Sequence, residues 1–223
     1  MFSNLVALNQ GSIMNHILSR IIQKSYIEHL LFALLALLSL FFFEERPYSD
    51  SSYYIGRVLM HDSFWVEHNR FVLILSQWLP LIGIKIGLGI KSILILYSLG
   101  NIIFFYSVFL ICKYYYNNNS SGIIILLLQT LAIVSGFYVP MFELYYAAVL
   151  LILFSSILKS SDKFTNLIPL GILLVFIVTA HLFAVILLIL VLSLDFTENR
   201  LKKWKHYFSI IIITGVIIYI KNL

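Results

Sequence analysis

The sequence is short of charge, of cysteine and of any compact catalytic signature. Only 11% of its 223 residues are charged, against about 25% in soluble globular domains, which is too few to coat a water-soluble body of this size. A single cysteine, Cys112, excludes a disulfide within the chain and a cysteine metal cluster. No phosphate-binding glycine loop, GxSxG elbow, HExxH pair or dinucleotide fingerprint occurs. Met1 to Lys24 lacks a compact apolar stretch followed by a small-residue cleavage site, so the first span is expected to remain as an uncleaved anchor.

What is present is apolar sequence. Hydrophobic residues make up 61% of the chain, mean hydropathy is +0.98, and runs recur near the roughly 20 residues that a helix needs to cross a bilayer. The formal charge is +5. Its basic residues sit at the ends of apolar runs rather than among clustered aromatics, which argues for membrane lipid as the partner and against nucleic acid. The expected fold is all-α, a polytopic transmembrane helical bundle of about seven spans forming a single transmembrane domain over 1–223.

Arg20 and Lys24 precede the first span, Tyr26 to Phe43, and place the amino terminus on the cytoplasmic side. The stretch from Glu44 to Arg70 follows as an external loop, with five acids, three arginines and two histidines. Phe71 to Ile90 is interrupted by Pro80, Gly83, Lys85, Gly87 and Gly89, and is read as an interfacial helix. A true crossing there would invert every later loop and put the basic ones outside. Spans then follow over Ser92 to Cys112, Gly122 to Tyr138, Glu143 to Leu158, Asn166 to Thr179, Leu182 to Leu194 and Tyr207 to Ile220. Lys113, Lys159, Lys163 and the Arg200, Lys202, Lys203, Lys205 cluster stay inside. Asn166 to Leu194 is divided at His181 because one long span would move that basic cluster outside.

This orientation gathers the uncommon polar groups on the external face: the 44–70 loop, Glu143 and His181. Asp50, in PYSDSSYY, is the leading candidate to accept a proton from an attacking hydroxyl, with Asp62, Glu67 and His68 behind it. Arg46, Arg57 and Arg70 are of the type that binds phosphate through forked, charge-assisted hydrogen bonds. The ordinary alternative for each is a pair with a neighbouring acid or a lipid headgroup. Glu143 and His181 stand beside long apolar segments, where an ionisable group is costly unless paired or facing a cavity. His61, Asp62, Glu67 and His68 lie close in sequence without the ligand spacing of any known metal site, so no metal is expected.

The arrangement resembles the amino-terminal half of the GT-C class of membrane glycosyltransferases, which use polyprenyl-phosphate-linked sugars. The resemblance rests on a first span leading into a long external loop with an early acid followed by tyrosines (Asp50, then Tyr53 and Tyr54). An interfacial segment before the second span, an acid after the third (Glu143) and a histidine at a later outer turn (His181) complete it. It covers residues 26–195. It implies that Asp50 is the catalytic base, that Glu143 helps form the site, and that Arg46 or Arg57 stabilises the departing phosphate, with Arg70 and His181 as further substrate-binding residues. The donor is then a polyprenyl-phosphate sugar, no other cofactor is needed, and the location is a bacterial inner (plasma) membrane. Since members of the class are longer, the chain is expected to be a truncated relative or a fragment. Two other classes stay open: a noncatalytic partner of a larger membrane-protein complex, and a small transporter, for which Lys85 and Lys91 are the few interior-looking ionisable groups.

Overall fold

The computed structural model describes residues 26–132, 137–160, 166–199 and 204–221, and every regular element among them is helical. In chain order these are α1 (Tyr26–Phe41), α2 (Asp50–His61), α3 (Ile74–Lys85), α4 (Ile90–Leu110), α5 (Asn119–Leu131), α6 (Glu143–Lys159), α7 (Leu167–Ala180), α8 (Leu182–Asn199) and α9 (Trp204–Lys221). A 3-10 turn, Phe71–Leu73, leads into α3, and a π-helical turn, Ile111–Tyr115, extends α4. Arg20, Lys24, Lys163, Arg200, Lys202 and Lys203, whose charges orient the expected spans, lie outside the described residues.

A helix that is apolar all round has to be covered on all sides, and α6 is covered by α4, α5, α7 and α8. It buries Tyr146, Ala147, Leu150, Phe154, Ile157 and Leu158 in the main core. Around it α4 packs on α1, α3 and α5, and α9 packs on α7. One stretch, Ile90–Tyr115 with 26 residues, is long and apolar enough by length and composition to cross a bilayer. The shorter apolar helices, including Tyr26–Phe41, Asn119–Leu131 and Leu167–Ala180, have 10–17 residues. At helical rise α5 is about 20 Å long, against a hydrocarbon core of about 30 Å. The expected spans therefore correspond to helices, most of which are short for a crossing.

Three details refine the expected arrangement. The span expected over Gly122 to Tyr138 ends as helix at Leu131. The interruption expected between Asn166 and Leu194 falls where His181 is extended, with φ −164° and ψ 150° between α7 and α8. Phe71 to Ile90 is not one helix. It is helical to Lys85, turns through Gly87 in the left-handed region (φ 75°), and joins α4 at Ile90, with α3 packed along α4. Close approach explains one of its glycines: a Cβ on Gly83 would meet Leu96 Cδ1 at 2.8 Å.

The 44–70 stretch also contains a helix. In α2, Ser51, Tyr54, Ile55 and Val58 recur at the spacing of one helical face and are buried, and Asp50 in its first turn complements the helix dipole. The connection into α2 is tied to the bundle by Arg46, which is 0% exposed. Its Nε donates to Phe137 O (2.6 Å), its Nη1 to Ser98 O (2.6 Å) and Ser98 Oγ (2.7 Å), and its Nη2 to Asn101 Oδ1 (3.0 Å). The guanidinium carbon lies 4.3 Å from the Phe137 ring centroid. Ser98 Oγ donates to Ser39 O (2.7 Å) and Asn101 Nδ2 to Pro140 O (3.1 Å), so one cation joins the end of α1, the middle of α4 and the segment before α6. Burial pushes the Arg46 guanidinium down to about 10, which leaves it charged at neutral pH.

Replacing Arg46 strands several buried acceptors at once. Arg46→Met is expected to lower stability by about 3 kcal/mol or more, read as a lower unfolding midpoint in detergent. Arg46→Lys should restore little, because a point-like ammonium does not reproduce the planar fork. A wild-type midpoint for Arg46→Met would refute this role.

Candidate functional site

Helix α2 is fastened to the segment that leads into α6. Ser51 Oγ donates to Met141 O (3.0 Å) and accepts from Met141 N (2.9 Å), while Tyr97 Oη donates to Ser51 O (3.2 Å). Ser49, just before the helix, has φ 55° and ψ −128°, a conformation that is strained for a residue with a side chain. Sharp entry and a double anchor thus set where Asp50 begins the helix. One turn later Tyr54, buried, donates its hydroxyl to Glu143 Oε1 at 3.0 Å. Glu143 is 5% exposed in the first turn of α6, and the same oxygen receives Arg70 Nη1 at 2.9 Å. Its Oε2 has no hydrogen-bond partner among the described residues.

These charges change one another's proton affinity. Burial, and then the charge and hydrogen bond of Glu143, raise the Tyr54 phenol above its ordinary value, so it remains a donor. Burial works against the charged Arg70, but the Glu143 hydrogen bond and charge more than offset it, and its guanidinium is held above the usual value.

A second carboxylate lies on the other side of the same tyrosine pair. Glu67 Oε1 accepts from the Tyr53 hydroxyl and from Trp65 Nε1 (2.9 Å), and the Tyr53 and Tyr54 rings meet edge to face at 5.5 Å. Arg57 lies over both rings, 5.0 Å from the Tyr53 centroid and 5.0 Å from that of Trp65. His61 stacks on Trp65 at 4.7 Å. The loop is pinned to α3 by Gln77, whose Oε1 accepts from Trp65 N (2.8 Å) and whose Nε2 donates to Trp65 O (2.9 Å). The hydrogen bonds from Tyr53 and then Trp65 hold the Glu67 carboxyl below its ordinary value.

The structure thus gathers Asp50, Arg57, Arg70 and Glu143 around α2. Asp50 is exposed and has no side-chain hydrogen bond or ion pair among the described residues. Arg57, half-buried, has its faces against rings and no hydrogen bond or ion pair among the described residues. Arg70 takes the ordinary alternative of pairing with a neighbouring acid. Arg46 does not face a phosphate. It is enclosed, and each of its three nitrogens donates to an acceptor inside the bundle, so its role is structural. His181 acts on its own turn: Nδ1 accepts from Phe183 N (3.2 Å), its carbonyl accepts from Ala184 N (2.9 Å), and its ring stacks on Phe183 at 5.5 Å. It caps α8.

Other polar groups do not stand out in the sequence. Trp65 and Gln77 pin the loop to α3, and Tyr54, which stands out in sequence only as a tyrosine following Asp50, reaches Glu143. At the opposite end of α1, Glu28 pairs with Lys113, and His29 reaches the hydroxyls of Tyr106 (2.9 Å) and Tyr114 (2.8 Å). The adjacent Glu28 and His29 inside the apolar run YIEHLL were the available signal.

Two measurements test this geometry. A double-mutant cycle between Arg70→Met and Glu143→Gln should return a coupling of about 1–3 kcal/mol, and zero coupling would dissolve the pair. Separately, Trp65 fluorescence in a Trp78→Phe, Trp204→Phe background should titrate with a midpoint below the ordinary glutamate value of 4.5. A carboxyl lowered in the folded state stabilises the Tyr53–Glu67–Trp65 link above the unfolded value and loses that contribution as pH falls through the folded one. A midpoint at or above 4.5 would count against the link.

No family model, curated protein or solved structure matches this chain.

Proposed function

We propose that the chain is a multi-span membrane protein with its amino terminus inside, and that its external face transfers a sugar from a polyprenyl-phosphate donor to an acceptor hydroxyl, as GT-C glycosyltransferases do. The observation that carries this reading is the docking of α2. Ser51 on Met141 and Tyr54 on Glu143 hold the helix that starts with Asp50 against the start of α6, two regions about ninety residues apart in sequence. On this reading an unpaired carboxylate and a ring-held arginine carried by α2 work with the buried carboxylate against which α2 is docked, one of whose oxygens is unengaged.

The chemistry divides among them. Asp50 takes the proton from the acceptor hydroxyl as its oxygen attacks the anomeric carbon. The bond from that carbon to the phosphate oxygen breaks, and the lipid phosphate leaves with the electron pair. Arg57, with its N–H groups unspent, binds the phosphate and stabilises the charge that grows on it. Glu143 Oε2 accepts from a sugar or acceptor hydroxyl, while Tyr54 and Arg70 fix its other oxygen. The exposed apolar residues of α1, α7 and α8, among them Leu30, Ile168 and Leu182, suit lipid as their solvent.

Transfer from polyprenyl-phosphate sugars should be measured in membrane vesicles. Asp50→Asn should reduce the rate by about 100-fold or more, the usual worth of a general base, with Glu143→Gln and Arg57→Gln also impaired. Equal transfer by wild type and Asp50→Asn would sink the site. No transfer by wild type from any such donor would favour the noncatalytic membrane partner instead.

A further inference from the structure

Glu67 is a carboxylate of the 44–70 stretch that the transfer chemistry leaves unused, and its Oε1 is doubly engaged. One of its oxygens accepts from both aromatic rings that Arg57 lies over, Tyr53 and Trp65. Those rings come from different places, one from α2 and one from the loop beyond it, and Glu67 is their common acceptor. Trp65 is further restrained through its backbone by Gln77, which is buried, so the indole has little freedom except about its own side-chain torsions. Glu67 and Arg57 are close enough for the charge of each to act on the other, yet no ion pair forms between them among the described residues. The rings occupy Oε1, and the carboxylate acts on the guanidinium through its charge without an ion pair among the described residues.

We infer that Glu67 is a positioning residue for a phosphate site at Arg57: it fixes the Tyr53 and Trp65 rings, and the rings fix the guanidinium with its N–H edge open to an anion. The inference rests on the reading of this face as the binder of a lipid-linked sugar phosphate. The physical logic is preorganisation. A free arginine side chain loses rotamer freedom when it binds, whereas a guanidinium held over two aromatic faces has lost it beforehand and still keeps its donors in the plane. A carboxylate serving only as a counter-ion would do the opposite, weakening anion binding by its charge. The two roles therefore differ in sign.

The test uses the full chain in nanodiscs, in the Trp78→Phe, Trp204→Phe background, with Trp65 fluorescence titrated separately by inorganic phosphate, by a polyprenyl phosphate and by the uncharged polyprenol. Wild type should bind the polyprenyl phosphate and not the polyprenol, and response to inorganic phosphate as well would show that the phosphate group alone suffices. Arg57→Gln should weaken binding about tenfold or more. Glu67→Ala should weaken it about fivefold, while Glu67→Gln, which keeps an acceptor oxygen without the charge, should stay within about twofold of wild type. If Glu67→Ala and Glu67→Gln both bind as tightly as wild type or tighter, while Arg57→Gln still fails, the positioning role is overturned and the phosphate site stands. If Arg57→Gln binds like wild type, or wild type binds no phosphate, the reading of the face itself is what fails.

Discussion

A cation that makes no ion pair among the described residues holds this fold together at one end. Arg46 leaves the short connection after α1, enters the bundle, and donates to carbonyl, hydroxyl and amide oxygens of Phe137, Ser98 and Asn101, with the Phe137 ring against its guanidinium. Burying a guanidinium is costly, and the cost is met only when the donors find acceptors in fixed directions. Those acceptors belong to α4 and to the segment just before α6, which therefore cannot shift independently of the end of α1. Asn101 carries the constraint onward to Pro140 O, and from there it is three residues to Glu143.

The placement of α2 follows from that constraint. The helix begins four residues after Arg46 and is seized at once by Met141 through Ser51, then by Glu143 through Tyr54. Two adjacent tyrosines consequently face two different carboxylates, Tyr54 a buried one and Tyr53 one nearer the surface. The result around α2 is one locked set of groups and one set left open. Glu143, Tyr54 and Arg70 lock one another, whereas Asp50 and Arg57 keep their polar groups unspent. For the proposed transfer, such a division would let fixed groups define the geometry while unpaired groups meet the ligand.

Much of this was legible beforehand, for identifiable reasons. The all-helical class follows from apolar runs broken by polar turns. The interruption at His181 was legible because charge on either side demanded it, and the prominence of Asp50, Glu143, Arg57 and Arg70 followed from their isolation in a chain with so little charge. The two arginines that look alike in sequence, Arg46 and Arg57, were separated only by packing: one lies inside among carbonyls and the other on aromatic faces. His181 looks like a site residue in sequence and serves as a helix cap, its Nδ1 accepting one of the first amide groups of α8. The glycines at 83 and 87 looked like helix breakers, and one is the space that lets α3 approach Leu96.

The sequence alone determined that the chain is helical and apolar, where most helices start and stop, and which few ionisable residues need explaining, since periodicity, turn chemistry and scarcity of charge are local properties. It did not mark α2: the 44–70 stretch reads as an external loop, and positions 51, 54, 55 and 58 show as a buried stripe only once the helix has packed. Only the tertiary structure decided which arginine is a strut and which has its donors free, that Glu143 rather than Asp50 is the enclosed carboxylate, and that Glu67 reaches two rings at once. Those outcomes depend on contacts between segments far apart in the chain, and the burial and hydrogen-bond geometry that assign each charge its role exist only after the helices have packed.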